Sequence, residues 1–198
     1  MDAAVALLAR VRPEDRLDVP KLTQHLLLPE AADPSGLLVA EHDGSLVGIA
    51  CGICEGTTGW ITLLAHAPEH PAAGEELLDA LGAWFTDQAI ERVRVSDHAD
   101  SYIIPGVDAE DFALLELFTS RGFSERLRCV GQKAPASAEI PTAVADLMRR
   151  REHEGYRFER AGWADLREVM TAADLVARGW GLVLREAVLR SQRPDRVV

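Results

Sequence analysis

The fold of this chain is decided between Gly59 and Leu81, where the sequence reads GWITLLAHAPEHPAAGEELLDAL. An apolar run from Trp60 to Ala67 is typical of a buried strand. The small residues at 71–74 then predict a loop, and the residues from Glu75 onward predict a helix. Because the first turn of a helix has backbone N–H groups without intrahelical partners, this arrangement can bind an anion. The sequence therefore leaves two interpretations open. The segment is either a binding site for a phosphate-bearing ligand or, more simply, an ordinary strand-to-helix connection.

The segments on either side of this stretch predict one mixed domain. Upstream, Asp43 and Gly44 form a hairpin signal between two alternating apolar segments. Downstream, a strand follows the central helix, and strand–helix–strand order predicts a parallel pair. The predicted elements are helices at 2–10 and 17–28, strands at 37–41, 46–53 and 60–67, a helix at 75–89, a strand at 92–96, a helix at 108–120 and a strand at 124–132.

Composition excludes several classes of protein. The chain has 198 residues, is 47% hydrophobic and has a net charge of -11, which argues against nucleic-acid binding because phosphates need clustered Lys and Arg. No apolar run has the length of a membrane span, and no signal peptide opens the chain, so we expect a cytoplasmic protein.

The cysteines favour a reducing compartment, since their count of three is odd. Cys51 and Cys54 have the spacing of a metal or redox pair. They lie in a predicted strand, however, where residues three apart face opposite sides. We therefore expect no metal site.

The order of the elements resembles the GCN5-related N-acetyltransferase (GNAT) superfamily over residues 1–133. Residues 38–50, LVAEHDGSLVGIA, resemble that family's second and third strands. Residues 61–70, ITLLAHAPEH, resemble its fourth strand and the lead into the cofactor loop, and residues 117–123, LFTSRGF, resemble the end of its last helix. The resemblance implies an α/β (α+β) fold with a mixed, mainly antiparallel central sheet flanked by helices. It also implies transfer of an acetyl group from acetyl-CoA to an amine.

The resemblance assigns a cofactor-binding segment. Backbone groups near Leu64, Ala65 and His66 would hold the thioester, and the amides of the following loop would hold the pyrophosphate: Ala72, Ala73, Gly74, Glu75 and Glu76. The segment departs from the family pattern at two positions. Pro71 replaces a basic or amide residue and Glu76 replaces a glycine. A carboxylate here repels a phosphate by about 1 kcal/mol or more where it is partly desolvated.

The reaction needs a base, a donor for the developing oxyanion and an acid for the leaving thiolate. Phe118 matches the position where the family often has a Tyr that acts as the acid, and a phenyl ring cannot donate a proton. The catalytic candidates are therefore Tyr102 as the acid and His66 as the base, with Glu55 as another titratable group nearby. For both Tyr102 and His66 the alternative is a purely structural side chain.

The second half resembles the start of another copy of the same fold. Residues 134–155 predict a linker and a polar helix, and residues 156–198 predict a strand at 156–160 followed by two helices. The first copy lacks an obvious first strand, so the strand at 156–160 could pair with the strand at 37–41, in its own chain or as a homodimer. The whole is then a tandem repeat with a truncated second copy.

Two functions follow from these observations. The first is an acetyl-CoA-dependent N-acetyltransferase acting on a small-molecule amine. The second is a non-catalytic module of the same fold with a degenerate cofactor loop, serving binding, scaffold or dimerisation.

Overall fold

A computed structural model describes residues 1–98, 101, 103–104, 106–128, 140–159, 161–176 and 179–191, without the side chains at 182, 183, 186 and 189–191. The chain divides into two compact units, residues 1–126 and residues 127–198. Each unit is described by itself. Among the described residues, no helix combines the length and apolarity that crossing a bilayer requires.

The first unit is a four-stranded sheet with helices on both faces. The strands lie in the order β1-β2-β3-β4. The first two pairs are antiparallel and the β3–β4 pair is parallel, which confirms the predicted mixed, mainly antiparallel sheet. The elements are α1 Asp2–Val11, α2 Val19–Leu26, β1 Ala32–His42, β2 Ser45–Glu55, β3 Thr58–His66, α3 Pro71–Asp87, β4 Arg92–Val95 and α4 Phe112–Ser120.

Each face of the sheet has its own hydrophobic cluster. Side chains of α1 and α2 pack on one face, and those of α3 and α4 pack on the other. Cys51 belongs to the first cluster and Cys54 packs against the second. The alternation of a strand has therefore placed the two thiols on opposite faces, as predicted. Among the described residues, no group of three or more His, Cys, Asp or Glu side chains is arranged to hold a metal ion.

Glycines on the sheet let α3 approach closely. A Cβ atom at Gly52 would lie 2.7 Å from Cζ3 of Trp84, and one at Gly59 would lie 2.5 Å from Cε1 of Phe85. Both distances are shorter than van der Waals contact. The large aromatic side chains of α3 therefore occupy the space that side chains on β2 and β3 would need.

Two helices begin at residues other than those predicted. α3 begins at Pro71 rather than Glu75, so the predicted small-residue loop is the first turn of the helix. Proline suits this position because it has no N–H to leave unpaired and its φ is already helical. α4 begins at Phe112 and not near Asp108, because the carboxylate that accepts the N–H of Leu114 belongs to Asp111.

The turns follow the sequence more closely. Asp43 and Gly44 both have positive φ, 49° and 73°, as a two-residue hairpin turn requires. Gly122, at φ 85°, lies just beyond the end of α4 as the predicted left-handed residue.

The predicted last strand is not observed in the part that is described. Residues 124–128 have no regular secondary structure, and the remainder of 124–132 lies outside the described residues.

The second unit is helical where it is described. It contains α5 Thr142–His153, a short 3₁₀ turn Trp163–Asp165, α6 Leu166–Val176 and α7 Trp180–Ser191. Residues 156–159 are not in a strand, and residue 160 lies outside the described residues. The predicted strand at 156–160 is therefore absent from the part of that segment that the structure describes.

Candidate functional site

The β3–β4 pair is open at one end. The ladder runs from Thr58 opposite Arg92 to Ile61 opposite Val95. The N–H of Ser96 still donates to the carbonyl of Ile61 at 2.8 Å. Beyond this bond β3 continues to His66 while β4 has ended. The two strands therefore separate after Ile61 and leave a cleft next to the last residues of β3.

The backbone after β4 accounts for the parting. Ser96 and Asp97 both have left-handed φ values, 60° and 71°. This conformation is unfavourable for residues with a Cβ atom, by about 1–2 kcal/mol each. Two such residues in succession turn the chain sharply away from β3. The buried hydroxyl of Ser96 donates a hydrogen bond to the carbonyl of Ile104, which helps to hold this turn.

The cleft is apolar and small. Its volume is about 10 Å³, which is roughly the room for one water molecule. Ser96 is the polar side chain among the described residues that line it, the others being Ile61, Leu63, Leu64, Val95, Ile104, Gly106, Val107, Leu114 and Phe118. The chemistry of this lining suits an acyl group and its alkyl arm. The volume does not admit one unless the cleft widens.

The predicted thioester-binding residues are divided between the two faces of the sheet. Leu64 lines the cleft, whereas Ala65 is buried in the cluster on the α1–α2 face. His66 follows at the end of β3 and is half-buried. The structure thus brings one of these three side chains to the cleft.

The N-terminus of α3 offers few free donors. Pro71 has no N–H, and the N–H of Ala73 already donates to the carbonyl of His70 at 3.1 Å. This leaves Ala72, which is exposed, and Gly74, which is buried. The predicted anion site therefore depends on two main-chain groups.

The ring of His66 covers Gly74. A Cβ atom at Gly74 would lie 2.5 Å from Cδ2 and 2.9 Å from Nε2 of His66. Nδ1 of the same ring is 3.0 Å from the carbonyl of Ala67. Since a carbonyl only accepts, Nδ1 donates and Nε2 of the neutral ring keeps its lone pair. The geometry gives His66 a nitrogen able to take a proton, but this nitrogen faces the first turn of α3 and not the cleft.

Arg121 partly neutralises the acidic start of α3. Its guanidinium donates to both carboxylate oxygens of Asp79, at 3.0 and 3.1 Å, and lies 3.5 Å from Glu75. The hydrogen bond from Arg121 holds the pKa of Asp79 below its ordinary value. Glu75 and Glu76 are both exposed. The predicted repulsion of a phosphate is therefore reduced at Glu75, whereas Glu76 forms no ion pair with any described residue.

The remaining catalytic candidates have different outcomes. Phe118 is buried and lines the cleft. This is the position that the resemblance matched to the family's acid, but its phenyl ring cannot donate a proton. Tyr102 lies outside the described residues. Glu55 pairs with Thr58 at the start of β3, about 25 Å from His66 at the strand rise, so these two groups cannot act on one substrate atom.

Sequence reasoning missed Ser96 and Arg121. The pattern gave no sign of Ser96, because a left-handed serine after a strand has no local signature. Arg121 could have been found, since its position just before Gly122 places it in the last turn of the helix beside α3. Its two carboxylate partners are 42 and 46 residues away in sequence, however, and only the fold brings them together.

Comparisons with known proteins support the fold. Neither a known protein family nor a curated protein matches the sequence. Among solved structures, the ribosomal-protein-S18-alanine N-acetyltransferase from Escherichia coli matches with a TM-score of 0.50 and 16% identity, over 64% of this chain and 72% of that chain.

Two further structures match at lower TM-scores. The aminoglycoside N-acetyltransferase AAC(6')-Iy, in complex with a CoA bisubstrate analogue, gives 0.46 and 15% identity, over 68% of this chain and 90% of that one. An aminoglycoside acetyltransferase from an uncultured soil metagenomic sample gives 0.48 and 18% identity, over 68% and 86%. The match to the Escherichia coli structure confirms the GNAT-like fold that the sequence predicted for this chain.

Proposed function

We propose that this protein is an acyl-CoA-dependent N-acetyltransferase of the GNAT superfamily that acts on an amine. The observation that carries the proposal is the parting of β3 and β4 after Ile61, next to an apolar cleft. A cleft between two parted parallel strands exposes main-chain groups beside apolar side chains. Such a place can bind a thioester through its carbonyl and its alkyl arm.

The residues proposed to hold acetyl-CoA are those that the sequence indicated. Leu64, Ala65 and His66 would lie along the thioester arm, and the first turn of α3 would meet the pyrophosphate: Ala72, Ala73, Gly74, Glu75 and Glu76. His66 would serve as the base through Nε2, once its ring leaves Gly74, and Tyr102 would serve as the acid.

The acceptor is proposed to be a small cationic amine. The chain has a net charge of -11, and an acidic surface attracts a cation from solution. Two of the similar structures are named as aminoglycoside acetyltransferases and one as a ribosomal-protein acetyltransferase, so amines of very different size occur on this fold.

Acetyl-CoA titration by calorimetry tests the proposal. We expect saturable binding at tens of micromolar, and tighter binding by Glu76→Gln because one repelling carboxylate is removed. Asp87→Asn is the matched control, since Asp87 ends the same helix, about 16 Å from Glu76 at the helical rise. No heat and no thermal shift at millimolar acetyl-CoA would overturn the proposal.

A non-catalytic module of the same fold is the second candidate. The cleft of about 10 Å³ and the phenyl ring of Phe118 favour it, because the first leaves no room for a thioester and the second offers no proton. Phe118→Tyr separates the two candidates. A transferase should gain activity from a phenol in the cleft, whereas a module that binds no acyl-CoA should gain none.

The larger organisation is also a proposal. A tandem repeat would place residues 134–155 between two related domains. Pairing of β1 with a strand of a second copy would give a homodimer, and β1 lies at the edge of the described sheet. A cytoplasmic location is consistent with the free thiols of Cys51 and Cys54.

A further inference from the structure

The cleft after Ile61 has the lining of an acyl-binding site but not the volume of one. Apolar side chains from β3, β4, α4 and the chain after β4 surround it, yet its volume is about 10 Å³. Pockets that bind small organic ligands have volumes of roughly 300 Å³ or more. One wall of the cleft must therefore move before an acyl group can enter.

Two of the walls belong to anchored elements. Ile61, Leu63 and Leu64 lie in β3, which is paired with β2 on one side and with β4 on the other. The wall from α4 is tied to α3, because Arg121 at the end of α4 donates to both carboxylate oxygens of Asp79. Moving either wall would disturb a strand ladder or a two-bonded ion pair.

The third wall is Ile104, which lies in neither a helix nor a strand. Its side chain is buried and lines the cleft, and its carbonyl accepts a hydrogen bond from the hydroxyl of Ser96. Nearby, the hydroxyl of Ser101 donates to the carbonyl of His25 in the last turn of α2. Two serine hydroxyls thus tie this stretch to β4 and α2. Such bonds contribute little net free energy, because water can replace them, so this wall costs the least to move.

The backbone beside this wall is strained. Ser96 and Asp97 both have left-handed φ values, 60° and 71°. Strained residues of this kind are typical of segments that change conformation. Relaxation of the two residues on opening would offset part of the lost hydrogen bond.

We propose that Ile104 is an autoinhibitory plug. Its side chain occupies the place of the alkyl arm of an acyl-CoA, and the hydrogen bond from Ser96 holds it there until the ligand displaces it. This inference rests on the proposed binding of acyl-CoA and adds a control to it. The measured affinity then includes the free energy of removing the plug, so a chain with a weaker plug binds more tightly.

Calorimetry with acetyl-CoA on variants of the full chain tests the plug. We expect Ile104→Ala to bind on the order of tenfold more tightly than the native chain, because the shorter side chain leaves part of the cleft open. Ser96→Ala should bind about fivefold more tightly, since one hydrogen bond no longer holds the closed form.

Ile103→Ala is the matched control. Ile103 is buried in the same cluster as Ile104 but is not among the described residues that line the cleft. It should lower the free energy of unfolding, as Ile104→Ala does, and leave the affinity for acetyl-CoA unchanged.

Hydrogen exchange gives a second measurement, part of which needs no ligand. The N–H of Ile103 donates to the carbonyl of Ser101 at 3.1 Å, next to the plug. We expect this amide to exchange faster in Ser96→Ala than in the native chain. In the native chain it should exchange faster with acetyl-CoA bound than without it.

The outcomes separate this inference from the proposed function. If the native chain and Ile104→Ala bind acetyl-CoA equally and the Ile103 amide keeps its protection, the plug is overturned and the transferase stands. If the native chain, Ile104→Ala and Ser96→Ala all fail to bind at millimolar acetyl-CoA while circular dichroism shows them folded, both proposals are overturned.

Discussion

The ring of His66 lies over Gly74, where the end of β3 meets the first turn of α3. Gly74→Ala would place its methyl group 2.5 Å from the ring. We expect it to lower the free energy of unfolding by about 1–3 kcal/mol, because overpacking forces the ring or the helix to shift. Urea denaturation measures the loss.

Two comparison variants make this prediction specific. In a His66→Ala background the methyl group has room, so Gly74→Ala should cost much less. Gly82→Ala on the same helix meets nothing within 4 Å and should stabilise the protein by about 0.5–1 kcal/mol through helix propensity. An equal loss at Gly74 with and without the ring would show that the contact is not the cause.

The thiols of Cys51 and Cys54 should stay protonated well above neutral pH. Burial is the main cause that raises the pKa of each thiol from 9.0 to about 11. A hydrogen bond with Thr62 acts in the opposite direction on the pKa of Cys51, whereas the negative charge of Asp33 raises the pKa of Cys54 further. A raised pKa in the folded state stabilises the fold below pH 9, and this stabilisation is lost between pH 9 and 11. Iodoacetamide modification of a Cys129→Ser variant should therefore remain slow until about pH 10.

The loss of stability offers an independent check. Urea midpoints should fall across the same pH interval, and the fall should be smaller for a Cys51→Ala, Cys54→Ala variant. Rapid alkylation at pH 8 without unfolding would contradict the assignment of thiols that stay protonated in the folded state.

Between α3 and α4, one arginine makes the polar link. Arg121 bonds to Asp79 and approaches Glu75, and the hydrogen bond lowers the pKa of Asp79 from 3.8. A lowered pKa stabilises the fold above the ordinary value, and this contribution disappears as the pH falls through the lowered one. In Arg121→Gln the pKa of Asp79 should rise, measured by carboxyl NMR titration. Arg126→Gln, a nearby exposed cation, should leave it unchanged.

Elements with a local signature could be predicted from the sequence, and those fixed by distant contacts could not. Asp43 and Gly44 specify their turn because few residues tolerate positive φ twice in succession. The start of α3 was misplaced because alanine and glycine at 72–74 fit a loop or a first helical turn equally well. Tertiary packing decides where the helix begins, because Gly74, which has no Cβ atom, leaves room for the ring of His66.

The candidate site was predictable in position but not in shape. The apolar run from Trp60 to Ala67 located the end of β3, which is His66, to within one residue. The closure of the cleft depends on Ile104, whose carbonyl is held by Ser96 eight residues earlier. No periodicity or motif in the loop indicates that contact, so the narrowness of the cleft could not be predicted from the sequence.

At the level of the whole molecule, nearly all of the hydrophobic core formed by the described residues lies in the first unit. Val188 is the buried hydrophobic residue of the second unit among the described side chains, and every other one belongs to residues 1–126. Folding must offset about 1–2 kcal/mol of backbone entropy per residue, and burial of apolar surface is the main source of compensation. The first unit has that source within itself, and the second has little of it.

Residues 1–126 alone should therefore unfold cooperatively, with a urea midpoint close to that of the intact chain. Residues 127–198 alone should show helical circular dichroism at most, without a cooperative transition. Cooperative unfolding of residues 127–198 alone would show that this unit has a core of its own, and its exposed apolar side chains would then need no partner to be stable.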